Sequence, residues 1–271
     1  MPFTPSHAVV ALPFVRTPLV PAAIAIGAMT PDLPLFVRLP GVTYAATHAL
    51  GSLVWTTLIA LALFVLWRVV LRPAAAELSP RWLAQRLPGE WWLSPGAALR
   101  SAVGIGQSRG YPLLLVVSAV LGILSHIAWD AFTHEGRAGL ALLPALAEQW
   151  GPMLGYKWLQ HGSSVLGLVI VGVWALRWVR RQAPSDIARR TTPRTVTVIW
   201  LVALPVILAI AWIMGFAQRG PFTAAFTPQH LAYATLPAAS GVWAVLTLLL
   251  CLALLVRRMR RATPVAEQKH R

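Results

Sequence analysis

Five apolar runs dominate the chain, at 49–71, 111–129, 162–179, 196–216 and 236–256. Each reaches the roughly 17–25 residues that an α-helix needs to cross a bilayer. Composition points the same way: 57% of the residues are hydrophobic and 11% charged, against about 25% charged in a typical soluble domain. A soluble cytosolic enzyme, a disordered chain and a basic nucleic-acid-binding domain are excluded on these grounds. The expected fold class is all-α, a multi-pass helical membrane protein. Cys251, the one cysteine, lies inside an apolar run, so there is no disulfide framework to infer.

A sixth stretch, 8–29, is apolar but carries Arg16, Pro13, Pro18 and Pro21. Prolines in a helix interior break or kink it. The preferred reading is two short helices in a re-entrant or interfacial hairpin, with a kinked sixth span as the alternative. No basic residue precedes this stretch and no small-residue cleavage site follows it. It is therefore not read as a secretory signal, and residues 1–48 are expected to stay in the mature protein.

Basic residues set the expected orientation, because basic loops stay cytoplasmic. Loop 72–110 carries Arg72, Arg81, Arg86, Arg100 and Arg109. The next basic link carries Arg177, Arg180, Arg181, Arg189, Arg190 and Arg194. The tail carries Arg257, Arg258, Arg260, Arg261, Lys269 and Arg271. The other two links hold only Arg137 with Lys157, and Arg219. Alternation through five spans places all three basic segments, and the C-terminus, on the cytoplasmic side of a bacterial cell membrane. The net charge of +15 is then a topology signal that needs no nucleic acid. Trp67, Trp129, Trp158, Trp174 and Trp178 lie near predicted span ends, as interface anchors do. We read residues 1–261 as one helical membrane domain, with 262–271 as a polar, disordered tail.

The few histidines and aspartates fall into short motifs. They are His7 in PFTPSH, Asp32 in MTPD, His48 in ATHALG, then His126, Asp130 and His134 in LSHIAWDAFTHEG, and His161 in WLQHGSS. All lie within residues 1–165. An ionisable group in a membrane segment is costly and by default points to function. His126 and Asp130 are four apart, so a helix puts them on one face about 5–6 Å apart, where an imidazole and a carboxylate can share a metal ion. His48 begins a span, Asp130 ends one and His161 begins the next. The orientation above places all three at the extracytoplasmic end, and His7 joins them if the N-terminal hairpin dips in from that side. His230 and His270 are read as surface residues.

At these motifs the sequence resembles an uncharacterised bacterial membrane family that begins PFTxSH and continues with a Pro-Asp motif. That family is similar to the YdjM-like membrane-bound metal-dependent hydrolases and, distantly, to zinc-dependent phospholipase C. The resemblance implies that Asp32, His48, His126 and Asp130 surround one zinc. It also implies that Asp130 bridges to a further ion near His7, and that His134 and His161 hold a third. Val165 stands where the last motif should place a carboxylate, so one or two divalent ions are expected, with Glu135 a candidate replacement. Asp32 and Asp130 are the candidate catalytic residues. The implied activity is hydrolysis of a phosphoester or lipid-linked substrate, with membrane lipids as partners and no protein partner indicated. Two other readings stay open: a scaffold or small transporter with a structural His/Asp cluster, and haem ligation by His126 and His161.

Overall fold

A computed structural model of the protein describes residues 3–37, 40–185 and 191–262. Asp186, Arg189, Arg190 and the tail beyond Ala262 lie outside the described residues. Five helices have the length and apolar composition to cross a membrane: Leu50–Leu78, Tyr111–Thr133, Gly155–Arg181, Arg194–Arg219 and Pro228–Arg260. They coincide with the five expected runs and mostly overrun them, because the helix continues into its charged flanks. Arg180 and Arg181, for example, form the last turn of Gly155–Arg181, where long basic side chains can reach polar surroundings. We label the main helices α1 (Pro21–Met29), α2 (Leu53–Leu66), α3 (Tyr111–Thr133), α4 (Gly155–Arg181), α5 (Arg194–Arg219) and α6 (Pro228–Ala262). Among the described residues, the β-structure is a two-residue pair, Gln149–Trp150 with Met153–Leu154, which turns at Gly151 with φ +68°.

The N-terminal stretch is two short helices, as its prolines predict. A 3-10 helix, Thr4–Phe14, is followed by a turn and then by α1, which Pro21 opens at its first helical position. Val20, just before that proline, is extended, the conformation a following proline favours. The alternative of one continuous kinked span is not what forms. The first span is also interrupted: α2 passes into a π-turn, Trp67–Leu71, and resumes at Arg72–Leu78 with Pro73 in its first turn. The wider turn accommodates the donor that proline lacks.

Contacts divide the chain into two compact units. The first comprises Met1–Pro34, Leu39–Val65 and Val103–Arg181. The second comprises Leu35–Arg38, Leu66–Ala102 and Gln182–Arg271. Apolar runs in the sequence carry no information about which helices pack together. In the second unit Val70, Ala74, Leu78, Cys251 and Leu254 form a buried cluster. Glu77 Oε2 accepts from the Thr191 and Thr192 backbone N–H groups and from the Thr192 hydroxyl at 2.9–3.3 Å.

All the His/Asp motifs fall in the first unit. There α3 buries a stripe of small residues, Ser118, Ala119 and Gly122, that leads down to His126 and Asp130. The stripe lies against Ala23, Ile24, Gly27 and Ala28 of α1. A Cβ on Gly122 would collide with the Ile24 carbonyl and come within 2.7 Å of the Ala28 nitrogen, and one on Gly27 would strike the Ala119 carbonyl. Small residues let membrane helices approach backbone to backbone in this way. The outer flanks of the spans carry apolar side chains, such as Val165, Ile199 and Ile213, that are about two-thirds exposed. Hydrocarbon suits such a surface and water does not.

The α1–α3 contact makes a direct prediction. Gly122→Ala should lower stability by about 1–3 kcal/mol, the usual cost of overpacking. Gly172→Ala, on open helix surface, should be neutral or stabilising by up to about 1 kcal/mol. Thermal unfolding in mild detergent reads both, and equal midpoints for the two variants would contradict the packing argument.

Candidate metal centre

Four local structures deliver the side chains. His7 sits on the 3-10 helix Thr4–Phe14. Asp32 ends the 3-10 turn Thr30–Asp32 that continues α1. His48 follows the short helix Tyr44–Thr47, which Thr43 caps by accepting from the Ala46 N–H. The Thr47 hydroxyl donates to the Pro31 carbonyl at 2.7 Å, so the His48 segment is tied to the Asp32 turn. His126 and Asp130 lie one turn apart on the buried face of α3.

These elements bring Asp32, His48, His126 and Asp130 together. His48 Nε2 and His126 Nε2 are 3.2 Å apart. His48 Nε2 lies 3.9 Å from Asp32 Oδ1 and 3.6 Å from Asp130 Oδ2. His126 Nε2 lies 3.7 and 3.5 Å from the same two oxygens. A tetrahedral zinc with ligand distances of about 2.0–2.1 Å would separate its donors by about 3.3 Å, close to the His48–His126–Asp130 spacings. Two overlapping groups of potential ligands result, His7/Asp32/His126 and His48/His126/Asp130, with every member buried. His7 stacks on His126 with ring centroids 4.1 Å apart. The hairpin therefore brings His7 beside Asp32 and His126.

The hydrogen bonds fix which ring nitrogens face inward. His48 Nδ1 lies 2.9 Å from the Tyr44 carbonyl and His126 Nδ1 lies 2.7 Å from the Ala28 carbonyl. A carbonyl only accepts, so each Nδ1 carries the proton and donates it. In the neutral rings both Nε2 atoms then hold lone pairs, pointed at each other across 3.2 Å. Metal-binding histidines commonly donate their other N–H to a backbone carbonyl in this manner. Asp32 Oδ2 accepts from the Thr4 hydroxyl at 2.7 Å. His7 Nε2 and Asp32 Oδ1 are buried without a hydrogen-bond partner, while the Asp130 carboxylate is engaged by the side chains of His48, His126 and Tyr44. Buried polar atoms are rarely left unpaired, and these two are potential ligand atoms. Burial, with His126 close by, lowers the His7 pKa to about 3, and burial raises that of Asp32.

The remaining candidates are placed differently. His134 Nδ1 is 3.4 Å from Asp130 Oδ2, at the edge of the cluster. Its Nε2 is 3.4 Å from the Gln160 amide nitrogen. His161 and Val165 are both exposed on α4. The helical phase is the reason: Tyr156, Gln160 and Gly167 form the buried stripe of α4, and His161 is a residue off it. His161 is thus not brought into the cluster as the resemblance implies. With His126 Nε2 turned to His48, the two histidines His126 and His161 do not form an axial haem pair either. Glu135 is exposed and accepts from the Tyr156 hydroxyl at 3.4 Å. Sequence reasoning missed Thr4, Tyr44, whose ring packs 3.9 Å from that of His48, and Gln160. Tyr44 is detectable as the residue four before His48, and Gln160 by the phase of α4.

Residues 1–257 match the model of a family described as a domain of unknown function, DUF4184. No curated protein and no solved structure matches the chain.

The Thr4 bond and the outward His161 predict opposite outcomes. Thr4→Val should cost about 1–3 kcal/mol, the range for a lost hydrogen bond to a charged group, and Thr4→Ser should restore the loss. His161→Ala should leave stability within about 0.5 kcal/mol of wild type. Thermal midpoints in detergent check both; a large loss in His161→Ala would put that side chain back in the site.

Proposed function

The chain belongs to the DUF4184 family, and for it we propose a membrane-bound, metal-dependent hydrolase of a phosphoester or lipid-linked substrate. The observation that carries this reading is the pair of facing Nε2 atoms, 3.2 Å apart, with their Nδ1 protons committed to carbonyls. Two lone pairs that close repel unless a cation lies between them. Imidazole and carboxylate donors suit zinc. His126 belongs to both donor groups and has one nitrogen left to offer, so the donor set supports one ion. The resemblance of the motif order to that of the YdjM-like hydrolases supports hydrolysis as the chemistry.

His48, His126, Asp32 and Asp130 would hold the ion, with His7 beside them. A divalent ion supplies a Lewis acid for a phosphoryl oxygen and brings the pKa of water down to about 7. Thr4 fixes one oxygen of Asp32, so the other keeps its aim. Asp130, 3.6 and 3.5 Å from the two Nε2 atoms, is the carboxylate that would take a proton from the water. The catalytic roles therefore fall to Asp32 and Asp130. The basic loops support a centre at the extracytoplasmic face of a bacterial cell membrane, with the C-terminus in the cytoplasm.

Val165, at the position of an expected carboxylate, favours a second reading: a scaffold or small transporter whose His/Asp cluster is structural. Metal analysis separates the two. Wild type purified in mild detergent should carry about one divalent ion per chain, and His126→Ala and Asp130→Ala should lose it. Substoichiometric metal that neither substitution changes would sink the hydrolase reading. Sidedness is read with cysteines at Ser108 and Leu143, before and after α3. They should label from the cytoplasmic and the outer side respectively, and labelling of both from one side would overturn the orientation.

A further inference from the structure

A groove of 390 Å³ runs between the 3-10 helix Thr4–Phe14, α3 and α4. Its volume falls within the range of about 300–1,000 Å³ typical of small-molecule sites. Val9, Val10, Leu166 and Ile170 give it apolar walls, and Ser6 and His7 also line it. Leu166 and Ile170 are 60% and 41% exposed, on a helix apolar and long enough to span the bilayer. That side of the groove opens where a membrane helix meets hydrocarbon. Ser6 and His7 are buried, so the polar end lies inside.

His7 belongs to both the groove and the donor group His7/Asp32/His126. Its Nε2 is buried without a hydrogen-bond partner. The groove therefore joins an apolar mouth to an imidazole of the candidate centre. A water-soluble ester gains nothing from branched aliphatic walls that open sideways. An amphiphile of the bilayer can enter without its chain leaving an apolar medium, which spares the hydrophobic cost of exposure, about 0.8 kcal/mol per CH₂.

We propose that this groove seats one acyl chain of a bilayer phospholipid and draws its phosphodiester toward His7. The proposal rests on the hydrolase reading and names its substrate class. The reaction balances with water alone. The water oxygen joins phosphorus, one P–O ester bond breaks, and the departing oxygen takes the proton.

The test uses the full chain in vesicles of phosphatidylethanolamine and phosphatidylglycerol. A small fraction of phosphatidylcholine carries a photoreactive diazirine near the carboxyl end of one acyl chain. After photolysis, label should appear on the peptide holding residues 6–10. Leu166→Trp and Ile170→Trp, two separate substitutions at exposed positions, should lower that label by about tenfold, as expected for the loss of a seat worth about 1.4 kcal/mol. Label on α5 around Ile199 and Ile213 should not change, which controls for folding and for general lipid contact. An unlabelled 6–10 peptide, or label that neither tryptophan reduces, overturns the groove. Bound metal measured on the same preparations keeps the two readings apart. Metal present without groove label fails the groove alone; groove label without metal fails the hydrolase reading alone.

Discussion

His48 and His126 confront each other through nitrogens 3.2 Å apart, each ring anchored from behind by a backbone carbonyl. That contact depends on where the Ala28 carbonyl lies. Ala28 is in the last turn of α1, where carbonyls lose their intrahelical partners. His126 supplies a donor there, so one imidazole both caps α1 and is oriented by it. The arrangement requires α1 and α3 to approach within backbone contact, which Gly27 and Gly122 allow. A glycine-lined helix contact thus sets the geometry of a polar cluster one turn further along.

The N-terminal hairpin contributes in a second way. A single span through 8–29 would carry His7 and Asp32 to opposite ends of a long helix. Broken at the prolines, the segment folds back, and His7 stacks on His126 while Thr4 bonds Asp32. The proline-rich start of the chain is therefore part of the cluster's architecture, because it returns the first motif to the second.

Much of this architecture is legible in the amino-acid sequence. Apolar length marks the five helices, prolines mark the break in the sixth stretch, and the four-residue spacing of His126 and Asp130 puts them on one face. Phase and pairing are not legible in the same way. A histidine in a motif invites a functional role, yet Tyr156, Gln160 and Gly167 set the inward face of α4 and leave His161 outside it. Thr4 is one threonine among many, and nothing local marks it as the partner of a carboxylate 28 residues away. The division into two compact units is likewise a property of helix pairing, to which hydropathy is blind.

Asp32 and Asp130 are buried in a chain that has only 8 acidic residues. Two buried carboxylates with no positive partner cost several kcal/mol each. The described salt-bridge partners of these two are histidines alone. Those histidines relieve the cost only as imidazolium ions. Protonating both His48 and His126 would set two N–H groups head to head at 3.2 Å. One shared proton between them leaves the pair of ionised carboxylates only half compensated, and burial of Asp32 favours its neutral form. The divalent cation of the proposed function would balance both and accept both lone pairs at once. The feature that marks the sequence as a membrane protein, its scarcity of charge, is thus the same feature that supports the +2 ion of the proposed function.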